Sequence, residues 1–208
     1  MLISELSERT GVPVATVKFY IREGMLERGR ALSATRADYD HDHVARLRVI
    51  AALTEVRGLP LARVREILAL IDEPTPDLAE TMGQAVGALP PYVSPDEDLT
   101  PAHDALATLG WPSVDRFAAV GQLSAAIRAV REAGMPWDES TLRRYADAAA
   151  AIADDELAPV PGMTASEAVA YAALGTALYE PVMLALRRLA HYRALDAAGL
   201  VDTEGRRG

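Results

Sequence analysis

The stretch Leu2–Leu26, LISELSERTGVPVATVKFYIREGML, constrains the chain more than any other. It parses as helix, tight turn, helix. Ser4 can cap a first helix carrying Leu6 on its inner side, and Thr10-Gly11 supplies the break. Pro13 then falls in the first turn of a second helix, where a missing N–H costs little. Val14, Val17 and Ile21 recur at helical spacing and are expected to face inward. The opposite face is left with Ala15, Thr16, Lys18, Phe19 and Arg22, with Tyr20 at its flank. A helix face that is small, hydroxylated, basic and aromatic suits a DNA major groove: small residues let the backbone approach, and cations and a phenol reach phosphates. On spacing alone, a plain pair of surface helices fits equally.

The next residues, 27–39, read as a short hairpin. Arg28 and Arg30 lie on one strand, Arg36 and Tyr39 near the other, with the tip at 31–35. Asp42–Arg57 reads as a helix with Val44, Leu47 and Ile50 inward, ended by Gly58, and Leu61, Val64, Leu68 and Ile71 mark another. Arg63 and Arg65 on its outer side are phosphate contacts or surface charge, with nothing local to choose between them. His41-Asp42-His43 has no third ligand nearby and reads as a solvated helix start rather than a metal site.

Residues 2–72 resemble the winged-helix head of the MerR family of bacterial transcription regulators. LISELSERTGV is similar to the family's first helix and turn, TVKFYIREGML to its T-x-R-Y-Y-x-x-x-G-L stretch, YDHDHVARLRVI to the segment after the wing, and RGLPLARVREIL to the G-[FM]-[ST]-L-x-E-I-x-x-L helix. Two departures stand out. The family's R-Y-Y reads Lys18-Phe19-Tyr20, so Phe19 offers stacking or apolar contact, for instance to a thymine methyl. The wing arginine expected two residues before the closing tyrosine is Ala37 here, and its contact passes to Arg36. The resemblance implies double-stranded DNA as partner, with Ala15, Thr16, Lys18, Phe19, Tyr20, Arg22, Arg28, Arg30, Arg36 and Tyr39 as contacts. It further implies a homodimer on a palindromic promoter site, working with RNA polymerase by bending and untwisting an overlong spacer. Simple repression is the alternative mode, and a protein-interaction module docking its head on a partner protein is the rival of another class.

Composition bounds this reading. The 208 residues contain no cysteine, which excludes disulfides and thiolate metal sites and removes the ligands on which the family's metal- and redox-sensing branches rely. No cofactor is implied. No uninterrupted run approaches the ~18 apolar residues of a membrane span, and Glu5, Glu8 and Arg9 interrupt any signal peptide, so no membrane partner and a cytoplasmic location are expected. The net charge of −9 is unevenly placed: residues 1–65 hold eleven Lys/Arg against eight Asp/Glu, and residues 74–208 hold ten against nineteen. Lys18, Arg22, Arg28, Arg30 and Arg36 cluster in the front. Five phosphate contacts per head, doubled in a dimer, correspond to a salt slope of roughly −9.

The expected fold class is all-α with a small β-wing: an N-terminal winged helix-turn-helix domain (1–73), a short helix and Pro-rich linker (74–100), and a C-terminal helical bundle (101–208). Pro74, Pro76, Pro90, Pro91, Pro95 and Pro101 break any heptad series, so the long coiled coil of the best-known relatives is not expected. Asp77–Leu89 can be helical, and Thr100-Pro101 opens a helix ending near Gly110. Ser113–Gly134 reads as another, Asp138 caps the next, and Thr164–Glu167 is a capping box for the longest, which Pro181 should kink. This last helix has apolar residues beyond one stripe (Met183, Leu184, Leu186), enough for its own core and a dimer partner. A small-molecule effector pocket lined by Trp111, Phe117, Met135, Trp137, Tyr145 and Tyr171 is the other role open to the rear domain. His103 and His191 stand alone and no nucleophile or phosphate-loop motif is present, so no catalysis is expected.

Overall fold

The computed structural model describes residues 1–33 and 36–200. Four helices, α1 (Ile3–Thr10), α2 (Val14–Arg22), α3 (His41–Ala51) and α4 (Leu61–Asp72), form the head. Between α2 and α3 an antiparallel hairpin pairs β1 (Arg30–Ala31) with β2 (Ala37–Asp38), in register Arg30 to Asp38. Part of the expected tip, residues 34 and 35, lies outside the described residues. Behind follow α5 (Leu78–Gly87), α6 (Thr100–Leu109), α7 (Ala118–Glu132), α8 (Glu139–Leu157) and α9 (Ala165–Ala197). The all-α architecture with a small two-stranded sheet is as expected.

Local chemistry sets most boundaries. Gly11 closes α1 at φ 72°, a left-handed conformation that costs glycine little, and its N–H returns to the Ser7 carbonyl. Asp77 and Asp138 cap α5 and α8 by accepting the N–H of Glu80 and Thr141, and Thr164 with Glu167 forms the expected capping box. The cap on α3 is Asp40, whose carboxylate accepts from the N–H groups of Asp42 and His43. The box closes when the Asp40 N–H donates to His43 Nδ1, so His43 serves the helix start. Two starts differ from expectation. Helix α1 begins at Ile3 behind Leu2 without a side-chain cap, so Ser4 lies inside it. Helix α7 begins at Ala118, not Ser113, because extended Phe117 lays its ring on Gly83 of α5.

Gly29, just before β1, is a close-approach glycine. A Cβ built there would lie 2.6 Å from the Asp38 carbonyl oxygen and 3.0 Å from the Tyr39 ring. Backbone cannot yield as a flexible side chain does, so Gly29→Ala is expected to cost about 1–3 kcal/mol, read as a lowered Tm. An unchanged melting curve would mean that the hairpin base is looser than it is drawn.

The core crosses the expected boundary at residue 74. Leu6, Val17, Leu47, Ile50, Leu53, Val64 and Ile67 are sealed inside the head, and the same cluster continues into Ala85, Leu89, Val169, Ala173 and Ala177. Helix α5 and the first half of α9 therefore belong to the head's core, which corrects the division into a head and a separate rear domain. Alanines on α9 allow close approach of backbones, so the helix seats deeply with little side-chain volume. Arg57 extends this seam, donating to Glu180 at 2.8 Å. Helices α6, α7 and α8 hold together through two smaller clusters, one around Ala102, Leu106 and Val120, the other around Ala105, Ile127 and Leu142. Buried Ser124 pins the entry to α6, accepting from the Ala102 N–H and donating to the Asp98 carbonyl.

Beyond Ala177 the character of α9 changes. The helix continues through Pro181 to Ala197, yet Leu178, Tyr179, Val182, Met183, Leu184, Leu186, Leu189, Tyr192 and Leu195 are all exposed. An 18-residue window of α9 has mean hydropathy 1.4, so by length and composition one helix could cross a membrane. That corrects the expectation that no segment qualifies. The seating of Val169, Ala173 and Ala177 in the head's core accounts for its first half as packing.

Candidate nucleic-acid interface

Helix α2 presents Ala15, Lys18 and Arg22 to solvent, with Thr16 and Phe19 half-buried beside them. Arg22 lies over the Phe19 ring at 5.3 Å, which stiffens an otherwise free cation. The inner stripe is carried by Val17 and Tyr20, at 0% and 5% exposed, while Val14 and Ile21 are half-buried flanks. Tyr20 is thus a core ring and not a flank of the outer face. The chain also folds back on it, Met25 and Leu26 donating to its carbonyl. Tyr39 is likewise interior at 7% exposed, its ring edge-on to His43 at 5.1 Å, and burial pushes its phenol above the usual range. Both tyrosines were expected as DNA contacts; both are structural, because each ring fills the angle where the hairpin or turn meets the helices.

Helix α2, the start of α1 and the hairpin enclose a notch of about 510 Å³. Lys18, Arg28 and Arg36 converge on it from three elements, with Ser4, Ser33 and Ile21 between them. The hairpin is held to the head at its base. Asp38 accepts from the Met1 amino group at 2.6 Å and from Arg30 at 3.0 Å, and these donors hold its carboxyl below the usual range.

Ion pairing sorts the head's cations into two sets. Arg46 grips Asp72 with two hydrogen bonds, Arg57 holds Glu180, Arg63 pairs with Glu66 and stacks on Tyr92, and Arg65 pairs with Glu23. Arg63 and Arg65, left open in the sequence, are therefore committed within the chain. Arg30 is also engaged, by Asp38. Among the described residues Lys18, Arg28 and Arg36 have no carboxylate partner, and Arg22 has only Glu23 at 3.8 Å. The free cations coincide with the α2 face and the notch. That arrangement can hold backbone phosphates while the small and apolar side chains of α2 meet base edges. Arg48, on α3, is exposed and unpaired as well, and the sequence reading passed over it because nothing in its spacing sets it apart from any surface arginine.

The aromatic residues expected to line an effector pocket do not converge. Trp111 and Tyr145 are exposed at 43% and 49%, Met135 at 62%. Phe117 covers α5, Trp137 packs beside Leu109 and Leu123, and Tyr171 sits on the proximal part of α9. None of them lines any of the three cavities described. They come from separate helices whose faces diverge, a relation that no spacing along the chain reports.

Comparison with known proteins agrees with this geometry. The model of the MerR HTH family regulatory protein matches residues 1–71, the span from α1 through the hairpin to α4. The whole chain is similar to the crystal structure of a proposed transcriptional regulator, SCO5550, from Streptomyces coelicolor A3(2). The TM-score is 0.77 and the identity 32%, over 98% of this chain and 100% of that one. That likeness extends through the rear helices, where the family model is silent. No curated protein matches.

Proposed function

The chain belongs to the MerR family of helix-turn-helix regulators, and on that premise we propose that it is a homodimeric transcription regulator that reads a palindromic promoter site. One observation carries the proposal: the head's unpaired cations gather at α2 and the hairpin notch, whereas those elsewhere in α3–α4 are largely tied to carboxylates. Helix α2 enters the major groove with Ala15, Thr16 and Phe19 at base edges, and Lys18, Arg22, Arg28 and Arg36 take phosphates. Four contacts per head, without Arg30, give a dimer a salt slope of about −7.

Dimerisation is supported by the bare distal half of α9. Leu178, Val182, Ala185, Leu189 and Tyr192 follow the three- and four-residue steps of a helix–helix seam, and four of these five are large side chains left in solvent. Two-fold pairing of heads is mirrored by a palindromic operator. At a promoter the dimer acts on RNA polymerase either by bending the spacer, at a cost on the order of 1–6 kcal/mol, or by simple occlusion. A gel shift with DNA from upstream of its own gene, at two salt concentrations, tests this. Steeply salt-sensitive retardation is expected; absence of binding at both salts would turn the reading toward a head that docks on protein.

A further inference from the structure

Helices α8 and α9 run antiparallel past one another. Tyr145 of α8 accepts a hydrogen bond from Arg187 of α9 at 3.1 Å, and farther along Ile152 and Glu156 stand across from Thr176, Tyr179 and Glu180. Between them, bounded by Pro91, is an open cavity of about 660 Å³. Its lining is mostly apolar. The charged residues in it are Glu156 and Glu180, and no cation joins them. Glu156 makes no ion pair among the described residues. Glu180 gives one oxygen, Oε2, to Arg57 outside the cavity, and burial pushes its carboxyl above the usual range against the pull of that guanidinium. Two carboxylates against one arginine leave a negative charge in excess beside the Tyr179 ring and an apolar wall.

We propose that this cavity binds a lipophilic organic cation, an amine or quaternary ammonium on an apolar body, held by Glu156 and Glu180 with its charge against the Tyr179 ring. A desolvated carboxylate favours an opposite charge, and an aromatic face attracts the same charge by its quadrupole. An anion would meet two like charges, and a neutral body would cover the carboxylates without pairing them. The site is separate from the proposed dimer seam. At about 100° per residue, Thr176, Tyr179 and Met183 lie on the far side of α9 from Leu178, Ala185 and Leu189.

The consequence for regulation rests on the reading of the chain as a regulator. Glu180 is also the anchor for Arg57, which follows the π-helical turn Ala52–Val56 at the end of α3. A cation competing for that carboxylate loosens the tie between the head and the half of α9 assigned to the partner. The ligand would thus change how the heads are held without touching DNA.

Calorimetric titration of the full-length protein with benzyltriethylammonium, benzenesulfonate and benzyl alcohol tests the site. Saturable binding of the ammonium at one site per protomer is expected, about tenfold or more tighter than either comparison compound. Glu156→Gln, which leaves the Arg57 pair in place, should weaken it roughly five- to tenfold. Arg57→Ala should tighten it by freeing Glu180. Equal binding of the sulfonate, or an ammonium affinity indifferent to Glu156→Gln, overturns the proposal. So does an ammonium that splits a dimer into monomers by light scattering, since the groove then belongs to a second copy. A gel shift on the unliganded protein separates the two readings: DNA binding lost with ammonium binding kept removes the regulator and leaves the site, and the converse removes the site alone.

Discussion

Leu189→Glu is expected to leave a folded monomer that no longer retards DNA at physiological salt. Leu189 is 64% exposed in the protomer, so its loss removes little from the protomer's own stability. In a dimer the same side chain lies mid-seam, and an ionised carboxylate there must be stripped of water without a partner, at a cost of several kcal/mol. A monomer carries one head, so the salt slope halves, from about −7 to about −4, and affinity falls by about a thousandfold or more. Light scattering and the gel shift are read together on the same sample. A variant that stays dimeric places the seam elsewhere, and a monomeric variant with undiminished affinity removes the need for two heads.

Lys18→Ala should weaken binding to every DNA sequence alike and lower the salt slope of the dimer by about two. The chain has one lysine, and it stands exposed at the notch with no carboxylate partner among the described residues. Nothing inside the protein has to be rebuilt when it is removed, so the whole effect falls on the complex. Substitutions at Thr16 or Phe19 should behave differently, changing which sequences are preferred and leaving the slope alone, because neither carries charge. Arg65→Ala makes the control. Its guanidinium is already paired with Glu23, so its loss should move the slope little. If Lys18→Ala and Arg65→Ala prove equal, the sorting of cations by ion pairing does not describe the interface.

The helix-turn-helix, the hairpin and most helix ends were legible because their causes are short-range. Gly11, the caps Asp77 and Asp138 and the box from Thr164 to Glu167 act within four residues of themselves, and a helical period exposes Ala15, Thr16, Lys18 and Arg22 together. Tyr20 escaped because its residue type suits a phosphate as well as a core, and only the folding-back of Met25 and Leu26 encloses it.

By itself the order of residues determined which segments are helical, which helix face carries the cations and where acid gathers. Tertiary structure alone decided three other things: that α9 begins inside the head's core and ends outside any core, that Arg57 reaches a carboxylate 123 residues away, and which arginines remain free. The reason is one of range. Caps and periodicity are energies between near neighbours in the chain, while burial and ion pairing depend on who arrives from elsewhere, and an alanine stripe or a lone glutamate does not announce its partner.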